Sequence, residues 1–373
     1  MRRPRSTAAR LAAVLRPAVY GAAAVGAALT VGGCASAGRG GATGAANTPY
    51  AVLRRARVGG SGGFDYVYAD ATNRRLYIPR TGPGGRVTVF DLDRLDSVGT
   101  IANTNARGAA VDAASGHAFA SSKPVAMWDA RTLAPMRTVD VQGGPDGILA
   151  DPFNGRIWVF SHGAPNATVI DAAVGTVVGT VDLGGAPEQA VSDGNGHLYV
   201  DIEDKDNIAV VDTRTMAVTA HYDIAGRGGT CAGLAFDVTN RVLFATCRNP
   251  ATMVVLSADD GRVLTTLPIG SGTDGAVFNP ATREVFSSNG DGTLTIVRET
   301  SPTRFVVAQT LRTTPGAKTL TLDTRTNRVL LIAAEYGPPA APPPAASSVN
   351  VPPGRPNRGP MVPDSFTIWV VGR

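Results

Sequence analysis

Ionisable side chains recur along this chain at intervals of about 42 residues. Asp65, Arg107, Asp146, Glu188, Asp274 and Lys318 stand at one phase of that spacing, and Cys231 fills the remaining place. Arg80, His162, Glu203, Arg248, Asn289 and Glu335 follow at a second phase. Units that pack around an axis would bring both sets to one end of a central channel. Several charges converging in a concave place make a ligand site. A merely solvated, polar rim is the plainer alternative, and the pattern leaves both open. Asp65, Asp146, Glu188 and Asp274 supply oxygen donors of the kind Ca²⁺ accepts. They are the basis for an alternative reading as a metal-dependent hydrolase or lactonase. Arg107 and Lys318 at the same rim suit an acidic small molecule better than a bare cation, so no metal and no cofactor is assigned.

Nothing else in the chain spells out catalysis. It contains no His-Glu-x-x-His motif, Cys-x-x-Cys pair or phosphate loop. Of the four histidines, His117 and His197 open second strands at about the phase where other units carry arginine, and read as turn residues. His221 falls on an outer strand. His162 differs, because it follows a second strand on the same face as the charged set. A non-catalytic binding or scaffold protein is therefore the first expectation, with no catalytic residue assigned.

Three cysteines are present. Strands of about Thr230 to Phe236 and Arg241 to Cys247, joined by a turn at Asp237–Asn240, pair residues whose numbers sum to about 477 or 478. Cys231 and Cys247 fit that sum and should face each other. A disulfide is the favoured reading in an oxidising compartment. A metal pair or two free thiols remain alternatives, though no further His or Cys stands at ligand spacing.

The elements that would position these residues come from an internal repeat. Each unit has an apolar strand ending at Asp or Asn, a tight turn, a second strand, a third ending in apolar-apolar-Asp, and a more polar fourth. The first-strand anchors are Asp70, Asp112, Asp151, Asp193, Asp237, Asn279 and Asp323, spaced 42, 39, 42, 44, 42 and 44 residues apart. Asp and Asn suit the turn because their side chains accept backbone N–H bonds there. Four strands in about 42 residues match a propeller blade, so the expected fold is an all-β, seven-bladed β-propeller over residues 50–373. The last unit ends at its third strand. Tyr50 to Val58 would supply its fourth and close the ring, which an open β-solenoid would not need.

At these residues the chain resembles a known family. The stretch from Asp274 through Asn279-Pro-Ala-Thr-Arg283 to Asn289-Gly-Asp291-Gly-Thr-Leu-Thr-Ile296 is similar to the YncE-like propellers with YVTN-type repeats. The similarity extends over all seven units. It implies the propeller fold and an exported or surface-associated protein; the best-known member is described as DNA-binding.

The N-terminus points to export. Arg2, Arg3, Arg5, Arg10 and Arg16 precede an apolar run from Ala18 to Val31, the pattern of a signal peptide over residues 1–33. Val31-Gly32-Gly33-Cys34 resembles a lipobox, with Cys34 as the lipidated residue; an ordinary signal peptide with an incidental cysteine is the alternative. Residues 34–49 read as a flexible tether. The full chain carries a formal charge of +5. Removing the five N-terminal arginines from 35 basic residues leaves 30, against 30 acidic. That balance gives no electrostatic surface for nucleic acid. A Pro-rich loop at residues 336–363 is expected on the charged face, as a lid or a disordered strip. The expected product is a monomeric, lipid-anchored protein of the periplasm or cell surface. Its partner would be an envelope protein, a peptide or a wall polymer, with the membrane touched only through the anchor.

Overall fold

The computed structural model describes residues 48–164, 166–338 and 359–373. The expected signal peptide, Cys34, most of the expected tether and the middle of the Pro-rich loop lie outside them. The described residues form one compact unit. The described residues contain seven four-stranded antiparallel sheets and no helix. Blades one to six run in chain order: residues 68–102, 109–139, 145–181, 187–223, 231–268 and 273–312.

Blade seven takes its strands from both ends of the chain. Leu320–Asp323, Arg328–Ala333 and Thr367–Gly372 are its first three, and Ala51–Arg57 pairs antiparallel with the third. The expected closure by the N-terminal strand is thus observed. Glu284, fully buried in blade six, locks the junction. Its carboxylate accepts from the Tyr50 hydroxyl at 2.7 Å, from Arg298 at 2.9 Å and from Arg373 at 2.7 Å.

First strands line the centre, each in contact with those of its two neighbours around the ring. Outer strands alternate, as in Ala217–Asp223, where exposed and half-buried residues take turns. Third strands such as Ala167–Asp171 are buried on both faces because a blade packs on each side. Aliphatic side chains fill most of the space between blades, and aromatic pairs join them: Tyr199 of blade four meets Phe236 of blade five at 5.2 Å, and Tyr77 of blade one meets Trp128 of blade two at 5.7 Å.

The repeat anchors cap the hairpins as expected. Asp70 Oδ1 accepts from the amides of Thr72 and Asn73 at 3.0 Å each. Asp193 differs slightly, standing one residue past the end of its strand, Pro187–Ser192. The residue that follows each turn needs a left-handed backbone. It is Gly in blades two, three and four (Gly116, Gly155, Gly196), but Arg74, Arg241 and Arg283 in blades one, five and six. Those three arginines therefore precede the phase of His117 and His197, rather than sharing it. Two of them bridge to a neighbouring blade: Arg74 reaches Asp323 of blade seven at 2.8 Å, and Arg241 reaches Asp193 of blade four at 3.2 Å.

Candidate functional site

All seven blades deliver a charged side chain to one end of the channel. Asp65, Arg107, Asp146, Glu188, Asp274 and Lys318 stand at or just before their blades' first strands. His162, Glu203 and Arg248 follow or end second strands of blades three, four and five. Blade five has no charge at the first-strand position because Cys231 is there, bonded to Cys247 across the first strand pair. The expected disulfide is present, with both residues buried.

The nine groups pair with one another. Arg107 lies 3.3 Å from Asp65 and 3.8 Å from Asp146. His162 Nε2 sits 3.4 Å from Asp146 and 3.5 Å from Glu188. Glu188 and Glu203 share a hydrogen bond. Arg248 binds Glu203 and Asp274; Lys318 binds Asp274 and lies 3.6 Å from Asp65, where the circuit closes. Tyr66, beside Asp65, donates its hydroxyl to Glu188 at 2.7 Å.

Burial and pairing together set the protonation states. Desolvation, with Asp65 beside it, pushes the Asp146 carboxyl up to about 6, against the pull of Arg107. Desolvation, then Glu188, raises Glu203. Burial alone would raise Glu188 too, but hydrogen bonds from His162 and Tyr66 hold it low. The bond to Glu188 in turn raises His162 above the usual imidazole range. Desolvation lowers Lys318.

Cations form the outer layer of this cluster and acids the inner one. Side-chain exposure is 47 % for Arg107, 44 % for His162 and 30 % for Arg248 and Lys318. It is 9–21 % for Asp274, Asp146, Glu188, Asp65 and Glu203. His162, Glu188 and Glu203 also offer three ligand atoms within 4.8 Å of one another, a spacing that could hold a metal ion.

Three expected residues do not join. Arg80 is buried against Phe366. Asn289 turns into blade six, bonded to Ser287, Thr293 and Thr295. Glu335 is exposed, and its backbone rather than its carboxylate binds Ser365. Backbone bonds from Gly337 to Pro360 and from Val362 to Glu335 zip the two ends of the Pro-rich loop; residues 339–358 lie outside the described structure.

Sequence reasoning passed over Tyr66, Gln189 and Asp201. Gln189 crosses the channel: its amide donates to Ala276 O of blade six at 2.8 Å and accepts from Leu234 N of blade five at 3.1 Å. It divides the charged mouth from an apolar funnel of about 740 Å³ on the turn face, walled by Val111, Leu149, Val191, Leu234, Val277 and Leu322. Asp201 is fully buried in blade four with both oxygens lacking a hydrogen-bond partner. Desolvation, then the charges of Glu188 and Glu203, keeps its carboxyl protonated well above the ordinary range. A carboxylate inside an otherwise apolar second strand, His197–Ile202, was the available signal.

No protein-family model matches the chain, and no curated protein matches it. Solved structures do. Over 75 % of this chain and 88 % of the other, it superposes on a chain of a mitotic checkpoint complex, at TM-score 0.63 and 11 % identity. A chain of Kuenenia stuttgartiensis hydrazine synthase matches at TM-score 0.52 and 15 % identity, over 61 % of this chain and 81 % of that one. At such identities the likeness concerns the propeller fold alone.

Proposed function

We propose that this protein is an exported, lipid-anchored binding propeller of the cell envelope that takes acidic groups of a peptide or wall polymer at its channel mouth. One observation carries the reading: the outer layer of a cluster fed by all seven blades is cationic, while the acids beneath are already paired. An incoming carboxylate meets Arg107, His162 and Arg248 first, and the buried acids hold those cations in place. The Tyr66–Glu188 and Gln189 crossings span the channel, so the ligand is held at the rim and does not thread through.

Lipid attachment at Cys34 and export rest on the N-terminal sequence pattern, and the fold suits a binding role. A second reading has its own support. His162, Glu188 and Glu203 could take a divalent cation in place of the proton the two glutamates share. Calorimetric titration of the protein with carboxylate-bearing dipeptides, soluble wall fragments, Ca²⁺ and Zn²⁺ separates the two. Saturable heat with the acidic ligands that disappears in Arg107→Gln supports the first reading. Heat with a metal that disappears in Glu203→Gln supports the second. Acidic ligands that bind wild type and Arg107→Gln alike contradict the first.

A further inference from the structure

Arg80 ends the second strand of blade one and is 1 % exposed. Its guanidinium lies 3.2 Å over the ring of Phe366. Nη2 donates to Gly59 O at 3.3 Å, and Nε stands 3.5 Å from Thr88 Oγ1. Nη1 is buried with no hydrogen-bond partner. Arg86, in the next strand, is the nearest charge, and it repels. Burial and then Arg86 push Arg80 down to about 9.

No acid of this chain neutralises the pair. Residues 1–47, 165 and 339–358 contain no Asp or Glu, so all 30 acidic side chains lie among the described residues. None of them forms an ion pair with Arg80 or Arg86. Asp364, just before the third strand of blade seven, accepts from Gly60 N at 2.9 Å. A buried cation without a counter-charge is strongly unfavourable. The nine charged groups of the channel-mouth circuit are paired, which sets Arg80 and Arg86 apart.

Both guanidinium groups border Gly60. A Cβ at Gly60 would stand 3.5 Å from Arg86 Nη2 and 3.9 Å from both terminal nitrogens of Arg80. Gly60 carries none, and its φ of 87° disfavours any residue that would. The glycine therefore leaves open the space that both guanidinium groups border. Its neighbours Gly59, Gly62 and Gly63 let this loop pack closely against Asp364 and Thr81.

We propose that Arg80 and Arg86, under the Gly59–Gly63 loop, form a binding site for one small oxyanion, a carboxylate or phosphate group. Two guanidinium forks bordering one space present several N–H donors to a single oxyanion, the geometry arginine favours. This site is separate from the channel-mouth circuit, which includes neither arginine.

The test is thermal unfolding of the purified protein in sodium phosphate or sodium acetate, against sodium chloride at matched ionic strength. A ligand of the native state raises Tm saturably with its concentration. Wild type should gain a few degrees with phosphate or acetate, and whichever acts identifies the group. Arg86→Gln, half-buried and tolerant of change, should lose the gain; so should Arg80→Gln if it folds. Arg304→Gln, exposed on the outer strand of blade six, should keep it. Equal gains in wild type and Arg86→Gln would overturn the proposal, as would a gain lost in Arg107→Gln and kept in Arg86→Gln. Absence of any gain in wild type overturns it too.

Discussion

The hydroxyl of Tyr66, at the start of blade one, donates to Glu188, at the start of blade four, across 2.7 Å. Residues 122 apart in sequence thus meet over the channel. The bond does two things at once. It spans the mouth, and it helps hold Glu188 ionised despite burial, which keeps His162 charged.

Removing that donor should be felt above the carboxylate range. A hydrogen bond to a buried charge contributes about 1.5–3 kcal/mol. Tyr66→Phe should therefore lower urea stability by about that much at pH 7. Glu188 has a depressed folded pKa, so its contribution exists above the unfolded value of 4.5 and is lost as pH falls through the folded one. The deficit of the variant should shrink below pH 4.5. A deficit unchanged with pH would mean that the hydroxyl acts through packing alone.

Asp146 carries the opposite sign. Its folded value of about 6 lies above the ordinary 3.8, so the folded state binds the proton more tightly. Its contribution to stability is full below pH 3.8 and lost as pH rises through 6. The difference of about two units corresponds to on the order of 3 kcal/mol. Asp146→Asn should flatten the stability profile between pH 4 and 6.5, measured by denaturant unfolding. A profile identical to wild type would contradict the burial of an ionised Asp146.

Glu284 tests ring closure. Glu284→Gln leaves Arg298 and Arg373 facing a neutral amide, and breaking a buried charge network typically costs about 3–5 kcal/mol. The two arginines are 35 % and 18 % exposed, so the loss should sit at the low end. Hydrogen exchange should quicken first in Ala51–Arg57 and Thr367–Gly372. Faster exchange spread evenly over all blades would argue against a local lock.

The Cys231–Cys247 bond closes a short loop, with 16 residues separating its ends. Loop entropy for that length contributes about 3 kcal/mol. Cys231→Ala/Cys247→Ala should lose on the order of that in denaturant midpoints, and reductant should lower wild type alone. Indifference of wild type to reductant after unfolding and refolding would show the thiols unbonded.

Much of this architecture was legible because the same physics acts seven times. Asp and Asn end first strands since their side chains cap the turn, so Asp70 through Asp323 gave blade count and phase together. The cysteine pairing followed from hairpin register, and the N-terminal strand from a unit one strand short. Legibility failed where one backbone demand is met by different residues. The left-handed turn position accepts Gly116 in one blade and Arg74 in another, so arginines and histidines one position apart looked equivalent. It failed again where direction matters: Arg80 and Asn289 follow the charged phase in sequence but turn into the protein. Tyr66 and Gln189 escaped because only ionisable rim residues were weighed, whereas a hydroxyl and an amide make the cross-channel bonds.

The most direct test is hydrogen exchange of the protein with and without soluble cell-wall fragments. A ligand at the channel mouth should slow exchange around Tyr66, Arg107, Asp146, His162, Glu188 and Arg248, and leave the turns at Asp70, Asp151 and Asp237 unchanged. Protection confined to those turns, around the apolar funnel, or no protection at any segment, would contradict the account.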